Sequence, residues 1–148
     1  MNHYIIDGNN LIGKMPDLRN KDNQFVREKA AFVLERYFSS RKAKVTLHFD
    51  GFANLPIKVT GIKIHYSENK TADEKIKQEI ERTKNRKSIT LVSSDNNLRE
   101  FGRVCSCTVK SSEDFLNEIQ SAGIQDEENR IIQSMNNTDE FKKLFGVD

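Results

Sequence analysis

Tyr4-Ile5-Ile6-Asp7-Gly8-Asn9-Asn10-Leu11-Ile12 is the stretch on which the fold turns. Its opening is a short apolar run, and Asp7-Gly8 ends that run as a strand followed by a sharp turn. The arrangement returns twice. Lys44 to Phe49 is rich in β-formers and stops at Asp50-Gly51, and Ile89-Thr90-Leu91-Val92 stops at Ser93-Ser94-Asp95. Helical patterns lie between these strands. Val26, Ala30, Val33 and Tyr37, joined by Leu34 and Phe38, predict a helix over 23–39. Ile62 to Tyr66 alternates and reads as a half-exposed strand. Thr71 with Glu74 forms a capping-box pattern ahead of a buried stripe of Ala72, Ile76, Ile80 and Thr83. A short helix with Leu98 and Phe101, a strand from Val104 to Val109 and a helix start at Ser111/Ser112, with Phe115, Leu116 and Ile119 inward, complete the series.

Strands alternating with helices predict an α/β fold with a mainly parallel sheet covered on both faces, a three-layer α/β/α arrangement. Right-handed crossovers then bring the C-terminal ends of the strands to one edge. The 148 residues suffice for one domain, read as 1–125, with 126–148 as a helical extension. That extension carries Ile131, Ile132, Met135, Phe141, Leu144 and Phe145 in an amphipathic pattern. Packing on the domain is its expected role, and docking on a partner such as a ribosome is the alternative. With 36% hydrophobic and 31% charged residues the chain is neither disordered nor membrane-spanning. Asp7 interrupts the N-terminal apolar stretch, which argues against export and for a cytoplasmic location. Cys105 and Cys107 are too few for a disulfide framework and would share one face of an extended segment. A net charge of +2 decides little.

The acidic residues decide more. Asp7, Asp50 and Asp95 each close a strand, and Asp73 stands in the first turn of a helix that follows a fourth. In an open parallel sheet such positions face one crevice. Asp is a common turn residue, so any one of them could be only a cap or turn former. Clustered carboxylates repel and call for a cation. Oxygen donors with no histidine or thiolate pair nearby suit Mg²⁺ or Mn²⁺, as one or two ions. Such an ion can orient a phosphodiester and activate water.

Tyr4-Ile-Ile-Asp-Gly-Asn-Asn-Leu-Ile12 resembles the opening motif of NYN domains, a strand followed by Asp-Gly-x-Asn. Phe49-Asp50-Gly51 is similar to that family's second strand ending, Thr71-Ala72-Asp73-Glu74 to the Thr-Ala-Asp motif of its YacP-like branch, and Val92-Ser93-Ser94-Asp95 to its Ser-Asp motif. The resemblance implies a PIN-like fold and Mg²⁺- or Mn²⁺-dependent endonucleolytic cleavage of RNA. It implies Asp7, Asp73 and Asp95 as metal ligands and Asp50 as the fourth catalytic acid, reached through a bound water. Asn10 and Ser94 would support the site or contact phosphate. Asn96 and Asn97 stand where a further acid would strengthen the site, which leaves the number of ions open.

Gly8-Asn-Asn-Leu-Ile-Gly13-Lys14-Met15 nearly matches a P-loop, but Met15 has no hydroxyl for Mg²⁺. His3, His48 and His65 lack metal spacing and read as structural. Basic residues flank the acidic motifs: Lys14, Arg19, Lys21 and Arg27 after the first, Lys70 before Asp73, Arg99 and Arg103 after Asp95. Of these, Lys14, Lys70 and Arg99 are the expected contacts to an RNA backbone. Phe52 could stack a base or join the core. The competing expectation is an RNA-binding or ribosome-associated adaptor with the same fold and a weak metal site. A DNA-directed structure-specific nuclease is disfavoured, because the chain lacks room for a further DNA-binding region.

Overall fold

The five strands form one sheet in the order β3-β2-β1-β4-β5, and every pairing is parallel. The computed structural model describes residues 1–18 and 21–123; Arg19 and the pattern read over 126–146 lie outside them. The strands are β1 (Asn2–Asp7), β2 (Ala43–Phe49), β3 (Ile62–Tyr66), β4 (Ile89–Val92) and β5 (Thr108–Lys110). The helices are α1 (Gly8–Gly13), α2 (Asn23–Phe38), α3 (Ala72–Arg82) and α4 (Asn96–Val104), and residues 112–123 are also helical. Contacts divide the chain after Leu116 into two compact units. The sheet and all site residues discussed below belong to the first; of the second, residues 117–123 are described and are helical.

Alternation along β1 explains the layers. Ile5 points into an apolar cluster with Ile76 and Ile80 of α3, Ile89 and Leu91 of β4, and Leu98 of α4. Tyr4, on the opposite face, packs against Phe38 of α2 and against Phe115. Ile76 and Ile80 are fully buried, and each contributes about 1.5–3 kcal/mol by leaving water. Thr71 accepts a hydrogen bond from the Glu74 N–H, so α3 starts with the expected cap. The α/β/α reading of the sequence therefore holds.

Three local expectations are corrected. Asp7-Gly8 is not a turn: α1 begins at Gly8 with Asp7 as its N-cap. A Cβ at Gly8 would stand 2.6 Å from the His48 carbonyl and from the Phe49 ring, so only glycine lets α1 start this close to β2. The strand read from Val104 is shorter, because Val104 still belongs to α4 and Ser106 takes a positive φ of 70°. Pairing resumes only at Thr108. Cys105 therefore caps a helix and does not share a strand face with Cys107; both are free thiols.

Candidate functional site

The strand order reverses between β1 and β4, and a ligand crevice is expected at such a switch point. Asp7 ends β1 there, and Asp95 follows β4 as the N-cap of α4. Ser93 links them. Its hydroxyl donates to Asp7 Oδ2 at 3.0 Å and accepts from the Asp95 N–H at 3.0 Å. Ile6 pairs with Val92, so Ser93 lies one step beyond the last paired position, level with Asp7. Ser93 is wholly buried, and sequence reasoning misses it in favour of its neighbour Ser94.

Asp7 is itself buried, with Oδ1 accepting from the Asn10 N–H. Burial pushes its carboxyl above the ordinary 3.8. The bonds from Ser93 and Asn10 pull the other way, while the charges of Asp50 and Asp95 push it up further. Asp50 and Asp95 thus both act on Asp7. Asp50 Oδ1 accepts from the Ala72 N–H at 2.7 Å, which fastens the end of β2 to the start of α3. The Asp50 N–H donates to Asn9 Oδ1 at 2.8 Å. Asp73 turns elsewhere, with Oδ2 3.2 Å from Lys77 Nζ in an i,i+4 pair. It is not among the groups that shift Asp7.

The expected supporting residues divide in the same way. Asn10 Oδ1 accepts from the Ser94 N–H at 2.9 Å and from the Ser112 hydroxyl at 2.6 Å, which ties three segments together behind the carboxylates. Ser94 Oγ donates to Glu113 at 2.7 Å, and Lys14 Nζ lies 3.1 Å from the other Glu113 oxygen. Those two bonds hold the Glu113 carboxyl down at about 2. Glu113 is thus a further acid beside the edge, hidden in the sequence behind its place at a helix start. Lys70 is exposed, and Arg99 is half-buried with an Nε that has no partner. Arg27 does not join a basic rim. It is buried, donates to the Asp50 and Phe52 carbonyls, and lies against the Phe49 and Tyr66 rings, so it clamps the loop after β2. Phe52 is 57% exposed and is not core.

Among the described residues no group of three or more His, Cys, Asp or Glu side chains is gathered tightly enough to hold a metal. The donor chemistry nevertheless fits a hard cation: Asp7 is raised first by burial and then by the charges of Asp50 and Asp95, and all three offer carboxylate oxygens. The P-loop-like stretch is the helix α1, not a phosphate-cradling loop.

A family model described as the YacP-like NYN domain matches residues 4–144. The chain is similar to the crystal structure of a single-residue mutant of Rae1 (YacP) from Bacillus subtilis, with 26% identity and a TM-score of 0.74 over 90% of this chain and 85% of that one. It is also similar in fold to unmutated Rae1 (YacP) from the same organism, with 21% identity and a TM-score of 0.71 over 99% of this chain and 88% of that one. No curated protein matches.

Proposed function

The chain belongs to the YacP-like NYN family, a nuclease-like family, and from that premise we propose that it is a metal-dependent endoribonuclease that hydrolyses RNA phosphodiester bonds. The observation that carries this reading is the pair Asp7 and Asp95 at the switch point, joined through the Ser93 hydroxyl. Asp7, Asp50 and Asp95 would hold Mg²⁺ or Mn²⁺, and Asp73 would join them by giving up Lys77. A bound ion would supply charge stabilisation at the phosphodiester and a lowered pKa for the attacking water. Ser93 keeps Asp7 and Asp95 in register, and Asn10 fixes the Ser94 backbone beside them. Lys70 and Arg99 flank the acids and would receive backbone phosphate. Phe52 offers an exposed ring on which a base can stack.

One observation favours a second reading. The described side chains form no three-membered metal group, as befits an RNA-binding or ribosome-associated adaptor with a weak site. Incubation of the protein with single-stranded RNA and DNA, in Mn²⁺, Mg²⁺ or EDTA, separates the two. The nuclease reading expects RNA cleavage that EDTA abolishes and that falls at least about 10²-fold in Asp7→Asn or Asp95→Asn, the scale of a lost charge-stabilising group. Cleavage unaffected by EDTA and by both substitutions would sink the metal mechanism. RNA binding without metal-dependent cleavage would favour the adaptor.

A further inference from the structure

α3 meets the sheet through two unlike surfaces. Toward β1 and β4 it buries Ile76 and Ile80. Toward β2 and the start of β1 it presents Glu79, whose oxygens accept from His48 Nε2 at 2.7 Å, Thr46 Oγ1 at 2.8 Å and His3 Nε2 at 3.0 Å. Those bonds hold the carboxyl well below its usual range in spite of burial, and turn its charge inward. Outside them lies a cavity of about 610 Å³, lined by Lys44, Lys63, Lys75, Arg82 and Lys84 with Glu79 as its one acid. Among the described residues none of these five cations is in an ion pair. A second cavity of about 540 Å³ adjoins the first through Arg82, Thr83 and Lys84, and adds Arg86 and Lys87 against Glu81.

We propose that this tandem of basic cavities along α3 is a backbone track for single-stranded RNA, distinct from the carboxylate edge. Unpaired cations lining a concave surface concentrate field on an anion. Two such cavities sharing a wall suit a repeating chain of phosphates better than one free phosphate. The polyanion is RNA because the same helix leads to the carboxylates: α3 has 11 residues, about 16 Å of length, and begins beside Asp50. A strand crossing the carboxylates could therefore continue along it. The inference rests on the RNA reading of that edge, but its test involves no cleavage.

The test compares Lys63→Glu/Lys84→Glu with a control of equal charge on other exposed lysines, Lys29→Glu/Lys58→Glu. Binding of a labelled single-stranded RNA of roughly twelve nucleotides, within the usual span of such sites, is followed by anisotropy in EDTA at several salt concentrations. The track variant should bind at least about tenfold more weakly than the control, with a salt slope lower by about 1.4, the value for two lost phosphate contacts on a single strand. A track variant equal to the control overturns the proposal. So does inorganic phosphate shifting the His65 ring resonances of the wild type while RNA affinity ignores the substitutions, which would mark a free-phosphate site. Unchanged RNA affinity together with metal-dependent cleavage removes the track and leaves the nuclease. A weakened affinity with no cleavage in any metal keeps the track and removes the nuclease.

Discussion

Ser93 and Asp7 show how one hydroxyl and one buried carboxyl make a site that costs the fold stability. Asp7 binds its proton more tightly in the folded chain than in the unfolded one. Its favourable contribution is therefore complete below the ordinary 3.8 and lost as pH rises through the higher folded-state value. At neutral pH the ionised group opposes folding. Asp7→Asn keeps a residue able to cap α1 and removes the charge, so it should stabilise the metal-free protein by about 0.5–2 kcal/mol at neutral pH. The gain should vanish near pH 4 and below, where the wild-type group is protonated; thermal melts across pH check both limits. The sequence marks Asp7, Asp50 and Asp95 because each ends a strand. It does not distinguish Ser93 from Ser94, because which hydroxyl faces Asp7 depends on the β1–β4 register. Asp73 looks equivalent to the others in the sequence, yet it sits one helical turn from Lys77 and pairs with it.

At the scale of elements, α1 and α3 hold the edge in place. Gly8→Ala would force a methyl group against the His48 carbonyl and the Phe49 ring, and should cost about 1–3 kcal/mol in urea unfolding. A Gly8→Ala protein as stable as the wild type would mean that α1 does not start this close to β2. α3 depends on Glu79. Because its folded-state carboxyl is lowered, its stabilisation is present above the ordinary 4.5 and is lost as pH falls from there. Glu79→Gln should lower stability by about 1–3 kcal/mol at neutral pH, since three donors lose a charged acceptor, and the deficit should shrink in acid. Chemical denaturation at two pH values measures it. Bounds of β3 and β4 are legible because Ile62–Tyr66 alternates and Ile89–Val92 is an uninterrupted run of β-formers. β5 is not, because Val104 and Cys105 are β-prone residues at a helix end, and only the positive φ of Ser106 separates them from the strand. His3 and His48 read as merely structural, since their shared partner Glu79 lies on a different element, invisible to spacing.

For the whole molecule, the strand order turns a scatter of aspartates into an edge, and that order follows from alternating elements joined by right-handed crossovers. Alternation is legible in the sequence, whereas the extra basic groove along α3 is not, because Lys44, Lys63 and Lys84 converge only once β2, β3 and α3 are packed. On the proposed mechanism the edge formed by Asp7, Asp50 and Asp95 takes a hard divalent ion. Titration of Mn²⁺ into the wild type and Asp7→Asn, with bound ion read by electron paramagnetic resonance and stability read in parallel, tests this. Saturable Mn²⁺ binding should raise the melting temperature of the wild type, as ligand linkage requires. Both effects should be lost in Asp7→Asn, although that variant is the more stable of the two without metal. Equal Mn²⁺ affinity in the two proteins, or none in the wild type, would contradict the proposed mechanism.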